Sequence, residues 1–274
     1  MDANTVAAST FRGLDGSGVE TTCVASVSVV DSNVMRRTFL ATLLLAVAGP
    51  VAAEEFFVPM VGQRAGQDGA WWNTEVWVTN TTAATGGYAA VFLPAGQANT
   101  EALRAEPDLE DLAPGVTVYR NDLVPEGKIG VLRFVTTPGV VVFGRVYNAA
   151  GHGSFGQGIP PLTRAAATRP GEIAHLIGLR RTPQFRTNLA LFNPTAENGV
   201  LHVRIVQPHG EAAGEESFRL APGGYVQLDD VLHAFGVPRG EHLRAEVTGT
   251  VPFFAFATVI DSRSGAPTLV PPLH

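Results

Sequence analysis

"LAPGVTVYRNDLV" at residues 112–124 and "LAPGGYVQLDDVL" at residues 220–232 are two versions of one segment, offset by 108 residues. Each opens on turn chemistry, where Pro presets φ and Gly accepts the positive φ of a tight turn. Each then runs through a short strand-like stretch to an Asp. Working outward, "TEVWVTN" (74–80) lies over "TNLALFN" (187–193) at an offset of 113, and "GIPPL" (158–162) lies over "LVPPL" (269–273) at an offset of 111. Three matches in one order, at near-equal offsets, identify an internal repeat of about 105 residues. The predicted organisation is a first copy over 54–162, a linker over 163–172 ("TRAAATRPGE") and a second copy over 173–274.

Period-2 patterning dominates inside each copy. Leu189 and Leu191 share one face, with Asn188, Ala190 and Phe192 on the other; Leu201, Val203 and Ile205 alternate with His202 and Arg204; Leu243, Ala245 and Val247 alternate with Arg244 and Glu246. Alternation of this kind predicts strands with one buried and one wet face. "GVVVFGRVY" (139–147) and "PFFAFATVI" (252–260) are nearly continuous in apolar residues, as central sandwich strands are. With 30 Gly and 19 Pro, both of which interrupt helix interiors, the chain reads as all-β. The prediction is two tandem β-sandwiches, immunoglobulin-like or jelly-roll-like, of about seven short strands each; closed barrels are the alternative. One short helix is expected per copy, over 229–237 and 121–127, with Asp230 and Asp122 at the N-cap.

"RVYNAAGHGSFGQGIPPL" (145–162), "ATVIDSRSGAPTLVPPL" (257–273) and the "LAPG" segment with its Asp resemble the tandem all-β repeat domains of uncharacterised secreted bacterial proteins. The resemblance covers roughly residues 57–273. It implies export and a tandem sandwich, and it carries over no catalytic residue.

Residues 35–53, "MRRTFLATLLLAVAGPVAA", read as a signal peptide. Arg36 and Arg37 form the positive start, an apolar run of about ten residues follows, and Val51 and Ala53 supply the small residues of a cleavage site before Glu54. The apolar run is shorter than the roughly 20 residues a membrane span needs. "RRTFL" partly matches the twin-arginine pattern, and general secretion is the other route. Residues 1–34 read as a mis-assigned or disordered extension, with Met35 as the true start. Cleavage near Ala53 places the protein outside the cytoplasm, either secreted, periplasmic or at the cell surface.

The whole chain carries a net charge of −6. The cleaved part contains Arg12, Arg36 and Arg37 against Asp2, Asp15, Glu20 and Asp31, so the mild acidic balance persists. It argues against nucleic acid and anionic membranes, which select basic faces. Cys23, the only cysteine, departs with the leader, which leaves burial rather than disulfides to stabilise the fold.

No chemical constellation emerges. "GHGSFG" (151–156) matches G-x-G-x-x-G, but "QGIPPL" follows where a phosphate-binding helix is required; the stretch reads as a Gly-rich hairpin. His175, His202, His209, His233, His242 and His274 lack metal-ligand spacing. Glu106, Asp108, Glu110 and Asp111 read as a solvated acidic loop, without the positioned Gly of a calcium loop. Asp229 and Asp230 are adjacent, and glycosidase chemistry needs two carboxyls facing one another. The expectation is no catalytic residue, no metal and no cofactor.

The three tryptophans fall in "WWNTEVWVTN" (71–80). Alignment on "QFRTNLALFN" (184–193) sets Trp72 against Phe185, a core aromatic, and Trp77 against Ala190. Val76 and Val78 match Leu189 and Leu191, which puts Trp77 on the outer face with Glu75 and Thr79. A large ring there marks either a contact surface or a position covered by its own domain or the neighbouring copy. Trp77, with Trp71 beside the strand, is the candidate ligand-binding pair, for a polysaccharide or a cell-surface protein. The chain therefore reads as an exported, non-catalytic module for adhesion, surface assembly or ligand binding. A secreted hydrolase whose site forms only in three dimensions, or a periplasmic chaperone-like factor with a free sheet edge, are the alternatives.

Overall fold

The computed structural model describes residues 9–14, 20–25, 53–67, 69–150 and 153–274. The predicted leader, apart from Ala53, lies outside them. Within the N-terminal extension, β1 (Ser9–Leu14) and β2 (Glu20–Ala25) form an antiparallel pair, from Ser9 opposite Ala25 to Leu14 opposite Glu20.

The unit Gly49–His274 is one compact body. Its first half holds β3 (Glu54–Ala65), β4 (Trp71–Asn80), β5 (Gly86–Pro94), α1 (Thr100–Arg104), β6 (Glu110–Leu112), β7 (Thr117–Arg120), β8 (Lys128–Thr136), β9 (Val140–Ala150) and β10 (Gly153–Ile159). Its second half holds β11 (Ala174–Arg181), β12 (Phe185–Phe192), β13 (Gly199–Val206), β14 (Ala212–Leu220), β15 (Tyr225–Leu228), α2 (Val231–Ala234), β16 (Gly240–Gly249), β17 (Phe254–Asp261) and β18 (Pro267–Val270). The protein is all-β and sandwich-like.

In the first half the strand order is β10-β9-β4-β3-β8-β5-β6, with β7 on the free side of β4. β3 folds this sheet over: it pairs β8 from Glu54 to Gln63 and meets β4 only at Arg64 and Ala65. Two leaves result, leaf I (β7-β4-β9-β10) and leaf II (β3-β8-β5-β6). The second half has the same orders as separate sheets, leaf III (β15-β12-β17-β18) and leaf IV (β11-β16-β13-β14). Numbered within each half, both read 5-2-7-8 over 1-6-3-4, which differs from the immunoglobulin pairing of ABED with CFG. All four leaves are open rather than closed into barrels.

Equivalent pairings fall at the repeat offsets: Trp77 opposite Tyr119 and Phe143 matches Ala190 opposite Gln227 and Phe256. The offset drops from 113 to 108 where the first half carries α1, and returns to 113 where the second half carries α2. Thr and Asn bracket "TEVWVTN" and "TNLALFN" for the same reason in each. The hydroxyl of Thr74 bonds Gly62 N and O, and that of Thr187 bonds Arg180 N and O, which staples neighbouring strands. Asn80 and Asn193 are fully buried, and each amide satisfies turn carbonyls, including Leu112 O and Leu220 O respectively. Buried backbone groups demand such partners.

Three apolar layers separate the four leaves. Val58, Val76, Val78, Leu132 and Phe134 lie between leaves I and II. Leu189, Leu191, Leu201, Val203, Leu243 and Val247 lie between leaves III and IV, so the predicted strand phase holds there. The middle layer joins Phe57, Leu93 and Val131 of leaf II to Ala190, Phe192, Tyr225, Phe254 and Phe256 of leaf III. Period-2 alternation predicts a wet face for Ala190 and Phe192, but leaf II covers it and both are buried.

The segment 163–172 is docked against both halves. The Arg164 guanidinium binds the Glu55 carboxylate and the Pro194 carbonyl, Ala167 enters the middle layer, and Thr168 exchanges backbone bonds with Phe253. The α1 loop reaches across as well: Asn99 donates from its side chain to Gly223 O and from its backbone to Pro222 O, both at 2.8 Å.

Neither predicted helix cap forms. Asp230 precedes α2 in a left-handed conformation (φ 49°) and makes no side-chain capping bond. Its carboxylate accepts from Arg181 Nε, at 2.9 Å to each oxygen. No helix forms over 121–127, where Pro125 and the positive φ of Gly127 (76°) shape a turn. Asp122 there binds Arg120 at 2.8 Å, and that bond holds its carboxyl below the usual value.

Candidate functional site

Burial alternates from Val76 to the end of β4, with Val76 and Val78 in the dry layer and Trp77 outward. Cross-strand register places Tyr119 of β7 and Phe143 of β9 on either side of it. Ring centroids lie 5.5 Å from Trp77 to Tyr119, tilted 56°, and 5.7 Å from Trp77 to Phe143, tilted 37°. These are tilted aromatic contacts of the favoured kind. Tyr119, Phe143 and the neighbouring Val141 are each 49% exposed, while Trp77 sits half-buried between the flanking rings. The flanking rings of its own sheet line the indole on both sides. The result is an aromatic row running across three strands of the outer face of leaf I.

A polar row lies next to it. Glu75 Oε1 accepts from Arg145 Nη1 at 2.7 Å, Glu75 Oε2 accepts from the Tyr119 hydroxyl at 3.2 Å, and Arg145 Nη2 donates to Ser154 Oγ at 2.9 Å. Partial burial, and then the bond to Glu75, push the Tyr119 hydroxyl above its usual value. The Arg145 guanidinium stacks 4.8 Å over the Tyr147 ring, a cation–π contact. β10 supplies glycines to this face, and they are needed. A Cβ at Gly156 would lie 2.9 Å from Arg145 Nε, and one at Gly158 would lie 3.1 Å from Phe143 Cζ. Of "GHGSFG", the described part Gly153–Gly156 pairs with β9, and Gly156 makes room for the Tyr147 and Arg145 side chains.

Trp71 shares the outer face and is exposed, and its backbone N–H donates to Asn148 Oδ1 at 3.1 Å. Six residues along a strand separate it from Trp77 by roughly 20 Å, so the two indoles do not form one contact. Trp72 points inward and packs on the layer between leaves I and II. The sequence pattern places Glu75 on the outer face beside Trp77, while Tyr119, Phe143 and Arg145 escape it. Phe143 and Arg145 lie in the nearly continuous apolar run 139–147, whose pattern does not separate two faces, and Tyr119 joins them only through cross-strand register.

A second recess lies where β3 turns from leaf II to leaf I against leaf III, lined by Met60, Arg64, Trp72, Asn188, Gln227 and Asp229. Asp229 is tied there by three donors: Arg64 Nη2 at 2.6 Å, Gln227 Nε2 at 2.8 Å and Asn188 Nδ2 at 3.1 Å. Asp229 and Asp230 therefore serve different partners, Arg64 and Arg181. A carboxylate bonded in this way works as a latch between halves rather than as one member of an acid–base pair. Glu110 of the acidic loop accepts from the Tyr88 hydroxyl at 2.9 Å. His202 is exposed on leaf IV and bonds Ser217 at 2.7 Å. Among the described residues no group of three or more His, Cys, Asp or Glu is placed to share a metal ion, and no helix is long and apolar enough to cross a membrane.

Comparison of the chain with protein families, with curated proteins and with solved structures returned no match.

Proposed function

We propose that the protein is an exported, non-catalytic module for adhesion, surface assembly or ligand binding, built as two tandem sandwich domains of one duplicated type. Its contact surface is the outer face of leaf I around Trp77. The aromatic row carries this reading: three rings and Val141 stand on a sheet face whose counterpart in the second half is fully covered. Large apolar groups grouped on a sheet face mark contact surfaces more often than rings scattered singly. The leader-like segment 35–53 supports export, and the resemblance to secreted tandem repeats supports both export and duplication.

A glycan suits the same face, because CH-rich sugar surfaces stack on flat rings while Glu75, Arg145 and the Tyr119 hydroxyl offer hydrogen bonds beside them. The test is binding of the protein, purified from an exporting host, to insoluble polysaccharides and to whole cells. Wild type is expected to start at Glu54 and to bind, and Trp77→Ala is expected to bind at least about tenfold more weakly, as hot-spot aromatics do. Equal binding by the two proteins, with only the melting temperature lowered, would reduce Trp77 to packing.

A further inference from the structure

We propose that the outer face of leaf I is where two copies of this chain associate, face against face. The proposal rests on reading that face as the contact surface, and it names the occupant. The second half shows what the same kind of sheet does when it has a partner. Leaf III presents Ala190, Phe192, Tyr225, Phe254 and Phe256 outward, and another sheet face, leaf II, covers them completely. Trp77, Val141 and Phe143 hold the equivalent positions on leaf I without such a cover. The molecule therefore already contains one sheet-on-sheet association through these positions, built from its own chain.

A second copy has few surfaces to offer. The outer faces of leaves II and III are used up inside each molecule. Leaf IV turns His202, Arg204, Glu215, Arg244 and Glu246 outward, with Glu246 paired to both arginines at 3.5 and 2.9 Å. Covering that face would desolvate these charges for the return of one exposed aliphatic side chain, Ile177. Among the described residues the exposed Trp, Tyr and Phe rings, Trp71, Tyr119, Phe143 and Phe155, all lie on leaf I. Its central charges, Glu75 and Arg145, neutralise one another, so apposing two such faces brings no net charge together. Isologous pairing of one self-complementary patch is the commonest way soluble chains oligomerise.

The area sets the strength. A face four strands wide and about eight residues long covers roughly 500 Å² in plan, from strand spacings of about 4.8 Å and rises of about 3.3 Å per residue. Stable complexes bury about 800 Å² on each partner. The association is therefore weak and concentration-dependent, with a dissociation constant on the order of 10–100 μM.

Sedimentation equilibrium of the full chain across that range should show monomer and dimer. Phe143→Glu puts a charge on a half-exposed side chain and should weaken the dimer by about tenfold or more. Ile177→Glu, on the outer face of leaf IV at a position 53% exposed, should leave the dimer as it is. Because Trp77 becomes covered on association, tryptophan emission should shift to the blue as wild type is concentrated, and Trp77→Phe should abolish that shift. A chain that stays monomeric to about 1 mM overturns the proposal, and so does a dimer broken by Ile177→Glu instead of Phe143→Glu. If such a monomer still binds polysaccharide through Trp77, the contact-face reading stands and the self-association falls. If Phe143→Glu changes neither association nor polysaccharide binding, both fall.

Discussion

The outer faces of leaves I and III set equivalent positions in different surroundings. Trp77 stands where Ala190 stands, Phe143 where Phe256 stands, Val141 where Phe254 stands, and Thr117 where Tyr225 stands. Leaf III is dry because leaf II lies on it, and the small Ala190 lets Phe57 approach: the Phe57 ring lies 5.3 Å from Phe192 and 6.3 Å from Phe254. Leaf I has a large indole at the Ala190 position, and that indole is shielded by rings of its own sheet. One position on β4 and β12 thus helps to decide whether the sheet packs closely on another or fills its own surface. The same backbone pattern supports both because a sheet's inner and outer faces are independent sets of residues.

The two faces differ most in energy at Phe192. Truncation to Ala should cost about 3–5 kcal/mol, the range for fully buried aromatics whose surroundings cannot collapse. Phe143→Ala on leaf I should cost only about 1 kcal/mol, the worth of its contact with Trp77. Urea unfolding of the two variants measures this directly. Equal losses would mean that the middle layer contributes no more than a surface contact.

The position shared by Trp77 and Ala190 can be exchanged in either direction. Ala190→Trp inserts an indole between leaves II and III and should destabilise by about 1–3 kcal/mol through overpacking. Trp77→Ala should cost about 1 kcal/mol, since only the two flanking ring contacts go. Should Ala190→Trp melt at the wild-type temperature, close packing between the halves is not what holds them together.

Much of the architecture was legible from two kinds of pattern. Segments recurring at offsets of 108 to 113 located equivalent strands, because "LAPG", Thr74/Thr187 and Asn80/Asn193 answer local backbone demands that recur with the turn. Alternation located the dry layers inside each half, where Leu189, Leu191, Leu243 and Val247 all point inward. The same phase put Trp77 outward. The middle layer was not legible, because its partner for Ala190 and Phe192 is Phe57, more than a hundred residues away, and alternation reports only one neighbour per face. The carboxylate of Asp230 escaped for a similar reason: its cap position is a local property, whereas Arg181 reaches it from β11. Tyr119 joins the candidate site through pairing with β4, which no single-strand pattern records.

The smallest effect concerns the two tyrosines on these faces. Tyr225 is wholly buried in the middle layer, and its hydroxyl donates to Gln227 Oε1 at 2.9 Å. Burial first, then the nearby charge of Asp229, raise that hydroxyl far above the usual value of 10. Tyr119, half-exposed on leaf I, is also raised, as is Tyr88, in each case chiefly by burial. Raised folded-state values mean that the folded chain keeps protons which the unfolded chain releases above about pH 10. Stability from this source is fully present below that pH and declines as the pH rises beyond it. Tyr225→Phe keeps the ring in its layer, loses one hydrogen bond and should cost about 1 kcal/mol at neutral pH. It should also flatten the alkaline decline, because the group whose ionisation is most suppressed has been removed. Tyr119→Phe should leave the decline nearly unchanged, since water reaches its ring. Unfolding free energies measured between pH 8 and pH 11 for the three proteins decide the matter. An alkaline decline that survives Tyr225→Phe intact would mean that the covered face of leaf III admits water and that the contrast with leaf I is one of degree.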